Sequence, residues 1–493
     1  MTMQLEISLD RNAETSLYKQ ISGRIVDRIE AGYLPQGSRL PTIRDLSDQL
    51  GVTRVTVQNA YSDLQERGWV EATVGRGTFV TGPQPSDPLE LVSAEISPAS
   101  IMRDMGRLGR IRGMRTMAMA EPDPELHPSR EFLQELHGVT RHGTGLFDYA
   151  CSLGSSTLRH QLAALVGGLG IDAKPELIQV TSGATQALAL ITDALADSGD
   201  TVLVEQPTYL GLLAILQARG IRPVGVPLDA EGPDLEALEA LVVRERPQFF
   251  YTVPDFQNPT GVSMAPGRRL QLLEISRRHR LRIVEDAVYH MLAYDGPVSR
   301  PLKADDEEGL VIYADSFSKS LLPGLRVGFV IAPPDVHETI RRLFEVNELC
   351  GQPLIHQALA QFLDKGRYEQ HLREVTPEYR TRRDAMLEAL DEHMPDDVSW
   401  TRPGGGFCCW LTLPDEGRFD DLYPEALQQR IAYTPGEVFN AEPGATVNVR
   451  LCFSNVSTQQ IRGGILDLSD LVQKRLLRRP GGEIRHHEMV PLI

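Results

Sequence analysis

Apolar residues recur every fourth position near the start of the chain. Four of them would lie on one face of a helix from about Leu17 to Ala31: Leu17, Ile21, Ile25 and Ile29. Gly32 then interrupts the pattern, and the proline- and glycine-rich segment 33–41 predicts a loop or a short strand. Thr42 is a plausible N-cap for a short second helix that ends at about Leu50.

A tight turn at Gly51 and Val52 leads into a third predicted helix. Thr53 would cap this helix, which ends before Gly68. Two short β-rich runs then flank Gly75-Arg76-Gly77 and predict a hairpin. Three helices followed by a hairpin, with a glycine turn between the last two helices, indicate a winged helix-turn-helix.

In such a module the third helix lies in the major groove of DNA and its first residues face the base edges. The candidate DNA-binding residues are Thr53, Arg54 and Thr56 at this helix start, Arg39 and Arg44 for phosphates, and Arg76 at the wing tip. Arg44 could also contact a base, and Arg76 suits either the minor groove or a phosphate.

The signature L-Y-K-Q-I, G-S-R-L-P-T-I-R, L-G-V-T-R-V-T-V and A-Y-S-D-L spans nearly the whole of residues 1–82. It resembles the N-terminal domain of GntR-type bacterial repressors, which implies binding to double-stranded operator DNA. The alternative is a winged helix that contacts only protein.

Residues 83–118 predict a linker. It begins P-Q-P-S-D-P, and its second half carries five arginines, at 103, 107, 110, 112 and 115, against one acid, Asp104. Apolar positions 101, 105, 108 and 111 approach helical spacing. One hypothesis is that this basic segment contacts DNA or the acidic larger domain and so couples the two. The other is an irregular linker with solvated charges.

Strand-like apolar runs alternate with helical segments over 119–480, which predicts a mostly parallel α/β sheet. We expect a large domain over about 145–345, a smaller lobe over about 346–480 and a tail from 481 to 493. Gly183, Ala184 and Thr185 lie where a strand leads into a helix, and the amides of a helix start attract anions. Asp286 ends a buried strand, where an acid is costly unless it is paired.

Lys319 follows a β-rich run (310–314) and a small-polar segment, Asp315 to Ser318, that predicts a loop. Burial of an ammonium is costly, and it lowers the pKa toward the nucleophilic free amine. The motif S-F-S-K-x-x-x-P-G-x-R-x-G around it resembles the Schiff-base motif of fold-type I aminotransferases. This resemblance implies pyridoxal 5'-phosphate (PLP) on Lys319, with Ser316, Ser318 and Arg326 at its phosphate.

The same resemblance assigns roles to further residues in chain order. Tyr149 would reach the cofactor phosphate of a neighbouring subunit, which implies a homodimer. Tyr209 would stack on the pyridine ring, Asn258 and Tyr289 would share its phenolic oxygen, and Asp286 would pair with the ring nitrogen. Arg450, in the strand-like run V-N-V-R-L-C-F-S, would clamp a ligand carboxylate. Glu121 departs from the family's pattern; it could narrow the site or favour a ligand with an extra cation.

Composition limits the classes of protein to which this chain could belong. A net charge of −17, from 50 basic and 67 acidic residues, argues against coating nucleic acid through bulk charge. Residues 1–82 hold nine basic and ten acidic residues, a net of −1, so nearly all the excess acid lies beyond them. We expect a cytoplasmic protein, because the five cysteines form no C-x-x-C pair or metal-like cluster and no run has membrane-spanning length.

A GntR-type DNA-binding domain joined to an aminotransferase-like domain resembles the MocR subfamily of bacterial regulators. The first hypothesis is a transcription regulator that senses PLP itself, or an amino-acid-like amine, through an aldimine on Lys319. The second is an aminotransferase with a non-essential DNA-binding head.

Overall fold

A computed structural model of the chain divides into two compact units, Met1–Leu91 with Arg110–Met114, and Val92–Gly109 with Arg115–Ile493. The residues that it describes are 7, 9, 15–31, 33–35, 37–66, 68–73, 77–81, 97–108, 111, 113–142, 145–414, 419, 421–442 and 447–477. Within these residues, no helix combines the length and the apolar character needed to cross a membrane.

The first unit contains the three helices and the hairpin that the sequence predicts. Its elements are α1 (Leu17–Glu30), α2 (Ile43–Leu50), α3 (Arg54–Glu66), β1 (Val70–Thr73) and β2 (Gly77–Val80). The two strands pair antiparallel, and Val70 lies opposite Val80. One apolar cluster, which includes Ile21, Ile25 and Leu46, joins the helices to the hairpin.

Both predicted helix caps of this unit are present. The Thr42 hydroxyl accepts a hydrogen bond from the Asp45 amide at 3.1 Å, and the Thr53 hydroxyl accepts one from the Thr56 amide at 3.2 Å. Each bond satisfies an amide that the first turn of a helix leaves without a partner. Gly51, between α2 and α3, adopts the left-handed conformation, with φ of 62°, which a glycine enters without strain.

The second unit begins with a helix from the predicted linker. It is α4 (Pro98–Leu108), followed by the short strand β3 (Arg115–Thr116). Ile101 and Leu108 are buried, whereas Arg103 and Arg107 are exposed. The basic segment is therefore partly helical, and Arg115 pairs with Asp467 at 2.5 Å, which supports contact with the acidic larger domain. Arg110 and Arg112 lie outside the described residues.

The remaining helices of this unit are α5 (Ser129–His142), α6 (Ser156–Gly167), α7 (Ala184–Leu195), α8 (Leu210–Arg219), α9 (Leu235–Glu245), α10 (Pro266–His279), α11 (Phe317–Ser320), α12 (Pro334–Glu348), α13 (Pro353–Asp364), α14 (Arg367–His393), α15 (Leu422–Gln428) and α16 (Thr458–Leu476). Its remaining strands are β4 (Ile178–Thr181), β5 (Thr201–Gln206), β6 (Arg222–Asp229), β7 (Gly232–Pro233), β8 (Phe249–Thr252), β9 (Arg282–Asp286), β10 (Val311–Ser316), β11 (Gly328–Ile331), β12 (Ser399–Trp400), β13 (Cys408–Leu413), β14 (Ile431–Ala432), β15 (Thr434–Pro435) and β16 (Val447–Cys452).

The main sheet has eight strands in the order β4-β11-β10-β9-β8-β5-β6-β7. Neighbours from β10 to β6 are parallel, while β11 and β7 run opposite to the others. The predicted mostly parallel α/β sheet is therefore confirmed, with a reversed strand between β4 and β10. Strands β12, β13, β16 and β15 form a separate antiparallel sheet, and β14 pairs with β3.

The structure differs from the sequence prediction just before Lys319. The segment expected to be a loop continues β10 to Ser316, and the helical turn α11 begins at Phe317. The Ser316 hydroxyl caps this turn by accepting from the Ser318 amide at 3.2 Å. Ser316 thus both ends strand β10 and caps the helical turn, because an N-cap serine has an extended backbone and a hydroxyl that accepts a hydrogen bond from the helix.

Candidate functional site

One cavity of about 180 Å³ lies where the main parallel strands end. Strands β4, β10, β9, β8 and β5 point the same way, so the segments that follow them meet at one edge of the sheet. The sequence-predicted residues that line this cavity are Ala184, Thr185, Tyr209, Asn258, Asp286, Tyr289, Ser316, Ser318, Lys319, Arg326 and Arg450.

Hydrogen-bond donors cluster at the start of α7. Gly183 precedes this helix with φ of 92°, and an added Cβ would lie 2.8 Å from Arg326 Nη2. Arg326 Nη2 donates to the Ser182 carbonyl at 2.8 Å, and Nη1 reaches the Ser318 hydroxyl at 3.4 Å. Ser316 and Ser318 are linked through their hydroxyls at 2.9 Å. A helix start, a guanidinium and two hydroxyls together form a cradle suited to a phosphate.

Asp286 is buried at the end of β9. Its Oδ2 accepts a hydrogen bond from Tyr251 Oη at 2.7 Å, and its Oδ1 accepts from the Val288 amide at 3.3 Å. Burial raises the pKa of this carboxyl to about 6, and the bond from Tyr251 acts in the opposite direction. The site therefore favours a positively charged partner beside Asp286.

Lys319 projects from α11 into the same cavity. Its Nζ donates to the Ala120 carbonyl at 2.8 Å. Burial lowers the pKa of Lys319 below the ordinary lysine value, and the charge of Glu121 opposes that shift. The neutral amine, which is the nucleophilic form, is therefore more populated than in a solvated lysine.

Aromatic and amide side chains occupy the walls between these groups. Tyr209 is hydrogen-bonded to Thr185, and burial raises the pKa of its phenol. Tyr289 is buried and packs edge-on against Phe407, with ring centroids 5.7 Å apart. Asn258 lines the cavity on the loop after β8.

Arg450, on β16, is 2 % exposed. Its Nη1 donates to Asn258 Oδ1 at 2.9 Å, and its Nη2 donates to the Ala118 carbonyl at 2.5 Å. The guanidinium also lies 4.7 Å from the centre of the Phe439 ring. Its Nε is buried and has no hydrogen-bond partner among the described atoms.

The remaining predictions concern Tyr149 and the DNA-binding residues of the first unit. Tyr149 is 86 % exposed, which leaves its predicted role at a neighbouring subunit as a prediction. In the first unit, Arg39, Arg44, Thr53 and Arg54 are exposed and Thr56 is half-buried. Arg76 lies outside the described residues. The Thr53 and Thr56 hydroxyls hydrogen-bond each other at 2.9 Å, so the helix cap already uses part of their capacity.

Sequence reasoning missed several residues of the cavity. Tyr251 could have been noticed, because it lies on β8 beside the strand that carries Asp286 and alternation places it on one face of the sheet. Met105 and Met119 also line the cavity. A lone methionine in a linker carries no signal of this kind.

The chemistry of the cavity fits PLP. The cradle at Gly183 and Arg326 matches a phosphate, Asp286 matches a pyridinium N–H, and Lys319 is an amine in reach of the same space. A buried acid and a buried arginine that share one cavity are hard to explain as packing, because each is costly to desolvate.

Comparisons with known proteins agree with both units. The family of bacterial regulatory proteins called gntR matches residues 17–80, and the aminotransferase class I and II family matches residues 121–465. The HTH-type transcriptional regulator YisV of Bacillus subtilis is 30% identical and covers 95% of this chain and 98% of its own. The probable rhizopine catabolism regulatory protein MocR of Rhizobium meliloti is 29% identical over 83% of this chain and 81% of its own.

Among solved structures, the kynurenine aminotransferase of Pyrococcus horikoshii is similar to the second unit. It is 34% identical, with a TM-score of 0.73, and the match covers 78% of this chain and 96% of that one. That enzyme was crystallised with pyridoxamine phosphate (PMP), which supports PLP as the cofactor here. The expected fold, a winged helix-turn-helix followed by a fold-type I aminotransferase domain, is confirmed. The chain therefore belongs to the MocR-type regulators, in which a GntR-type DNA-binding domain is fused to a domain of aminotransferase class I and II.

Proposed function

We propose that this regulator senses an amino-acid-like amine in the cavity of its aminotransferase-type domain. PLP is held at Lys319, and Arg450 holds the carboxylate of the ligand. Binding of this ligand then changes how the winged helices are presented to operator DNA.

The observation that carries the proposal is the position of Arg450. A fully buried guanidinium shares one cavity with Lys319 and keeps an unpartnered Nε among the described atoms. Guanidinium groups bind carboxylates through paired N–H donors. A ligand carboxylate matches Arg450, and a ligand amine can react with the aldehyde of the cofactor held at Lys319, so a ligand that carries both groups suits this cavity.

The surrounding residues prepare the cavity for its cofactor. The amides at the start of α7, Ser316, Ser318 and Arg326 would hold the phosphate, and Tyr209 would support the ring. Asp286 would hold a proton on the ring nitrogen, and Asn258 and Tyr289 would donate to the phenolic oxygen. When bound, PLP supplies an aldehyde that condenses with primary amines and a ring that withdraws electrons. The lowered pKa of Lys319 keeps its amine available for attachment.

We also propose that the protein acts as a cytoplasmic homodimer. Phe147 is 88 % exposed and Tyr149 86 % exposed, and large aromatic side chains that lie this open are typical of interfaces. Tyr149 would then reach the cofactor phosphate of the neighbouring subunit. A dimer would also present two winged helices, as palindromic operators require.

A working aminotransferase remains the second candidate. The similarity to a kynurenine aminotransferase, with the lysine, acid and arginine in one cavity, favours it. The DNA-binding unit favours regulation, since transamination gives no role to exposed Arg44 and Arg54. PLP itself could also be the signal, and no amine would then be needed.

The test is DNA binding to the intergenic region upstream of the gene that encodes the protein, with and without PLP and with Lys319→Ala. The exposed Lys174 provides a control, Lys174→Ala. We expect specific binding that responds to PLP in the wild type and in the control, and no PLP response in Lys319→Ala. Absence of specific binding in every form, together with amino-group turnover in the presence of a keto acid, would establish the enzyme instead.

A further inference from the structure

The helix that arises from the predicted linker forms part of the ligand cavity. Helix α4 packs against α8 and against the turn at Gly436–Phe439. Its buried residues Ile101 and Leu108 lie on the same side as Met105, since positions three and four apart share a helix face. Met105 is the residue of this helix that lines the cavity.

Met105 contacts the group that is proposed to hold the ligand carboxylate. Its Sδ lies 3.3 Å from Thr434 Oγ1 and 3.8 Å from Arg450 Nη2. Arg450 Nη2 also reaches Thr434 Oγ1 at 3.0 Å and the Ala118 carbonyl at 2.5 Å. Two of the three neighbours of this nitrogen therefore come from residues 105–118, which precede the aminotransferase-type domain in the sequence.

These contacts differ in strength. A thioether sulfur is a weak hydrogen-bond acceptor, whereas a carboxylate accepts a charge-assisted bond from a guanidinium. A carboxylate that approaches Arg450 from the cavity would form a stronger, charge-assisted bond with the guanidinium than Met105 does. Met is also flexible, with a side chain that changes rotamer at low cost. Met105 is thus the neighbour of Arg450 that can most readily be displaced.

We propose that Met105 determines which ligands fit the site, and that a carboxylate with a sufficiently long chain displaces its side chain on binding Arg450, so that helix α4 responds to the ligand in the cavity. This inference rests on the proposed function. Met105 limits the length of the ligand chain next to the carboxylate, and its displacement loosens the packing of α4 on α8. Since α4 directly follows the DNA-binding unit in the sequence, the response arises in the segment that joins the two functions.

The coupling requires unequal binding to two arrangements of Met105. A ligand shifts an equilibrium only by the difference in its affinity for the two states. Short carboxylates that leave Met105 in place should bind without changing α4, while longer ones must displace it. Removal of the side chain should therefore improve the binding of long ligands and abolish the response of α4.

The test uses propionate, butyrate and hexanoate as probes, because they carry a carboxylate but no amine that could react with the cofactor. Full-length wild type and Met105→Ala are loaded with PLP, and loading is confirmed from the absorbance of the cofactor. Probe affinity is then measured from the change in that absorbance, and amide hydrogen exchange is followed in peptides from α4.

We expect Met105→Ala to bind hexanoate at least about tenfold more tightly relative to propionate than the wild type does, since a single additional methylene admitted to an apolar pocket is worth about tenfold or more. We also expect hexanoate to speed amide exchange in α4 of the wild type but not in α4 of Met105→Ala. Met119→Ala removes a methionine from the same cavity, so it shows how much of either effect follows from enlargement alone.

Met105→Leu is the second variant and conserves volume. It should keep the wild-type chain-length preference, so a leucine variant that behaves like Met105→Ala would contradict a role for side-chain size. An unchanged preference and an unchanged α4 response in Met105→Ala would overturn the inference, as would failure of all three probes to bind the PLP-loaded wild type. Failure of the wild type to take up PLP would instead contradict the proposed function.

Discussion

The two units of this protein bind anionic partners in opposite ways. In the DNA-binding unit, Arg44 and Arg54 are exposed on a small module with an apolar core. In the aminotransferase-type unit, Asp286 and Arg450 are almost completely buried around one cavity. The first unit keeps its charges in water, and the second surrounds them with protein.

This difference follows from the size of the partner. DNA is a long polyanion that meets a surface, so flexible arginines in water contribute affinity that depends on salt. A small cofactor can be enclosed, so its binding groups are held in place before it arrives and each must have a partner. Substitutions should therefore have large, local effects in the cavity and smaller, salt-dependent effects on the DNA-binding surface.

The strongest test of the enclosed site is Gly183→Ala. The added methyl group would lie 2.8 Å from Arg326 Nη2, and φ of 92° with ψ of 174° at this position is a conformation that costs alanine about 1–3 kcal/mol before any overlap is counted. We expect PLP affinity, measured by fluorescence titration, to fall about 100-fold.

Gly267→Ala is the matched control for Gly183→Ala. A Cβ at Gly267 would meet nothing within 4 Å, so PLP affinity should stay at the wild-type value. Equal PLP affinities in the two variants would show that the cradle at α7 is not the phosphate site.

Arg54→Ala tests the exposed surface. Loss of one base-reading side chain typically costs about 1–3 kcal/mol, so operator affinity should fall about tenfold while PLP binding is unchanged. Arg278, exposed on α10 of the other unit, provides the control Arg278→Ala for the same loss of charge. If Arg54→Ala weakened binding to operator DNA and to random DNA equally, Arg54 would contact a phosphate and not a base.

Asp286→Asn tests how a buried carboxyl contributes to the pH dependence of stability. In the folded protein burial raises the pKa of Asp286 to about 6, and it raises those of Glu205, Glu285 and Asp315 to about 7. These four carboxyls thus hold protons in the folded state that the unfolded state releases, so their contribution to stability is greatest at low pH and is lost as pH rises from about 4 to about 7.

Without PLP, the contribution of these four carboxyls to the thermal midpoint of the larger unit should therefore fall between about pH 5 and about pH 7.5, while His356 and His371, whose pKa values burial lowers to about 4, act in the opposite direction. In Asp286→Asn this fall should be smaller by a few degrees, because one of the four groups no longer titrates. Calorimetry of the cofactor-free protein measures both. A steeper fall in the variant would contradict the sign of the pKa shift.

The smallest expected effect concerns Thr53. Loss of an N-cap hydroxyl costs about 1 kcal/mol, so Thr53→Ala should reduce operator affinity about fivefold by loosening the start of α3. Thr53→Ser retains the hydroxyl that accepts from the Thr56 amide and should restore affinity. If the serine variant bound DNA as weakly as the alanine variant, the methyl group would be the part that contacts DNA.

Much of this structure could be predicted from the sequence because its signals are local. The caps at Thr42 and Thr53 depend on residues three positions away. The segments that bear Gly183, Asn258, Asp286 and Lys319 each follow a strand in the sequence, and parallel strands bring their carboxyl ends together. The cavity then follows from topology.

Tertiary structure alone decided the rest. Nothing near Met105 or Ala118 in the sequence indicates that they would meet Arg450, which is 345 and 332 positions away. The bond from Tyr251 to Asp286 likewise depends on how β8 lies beside β9. Periodicity and capping fix which segments become helices and strands, because their partners lie within a few residues. Which linker residue lies against a buried guanidinium depends instead on packing between distant segments, and a single sequence carries no record of that contact.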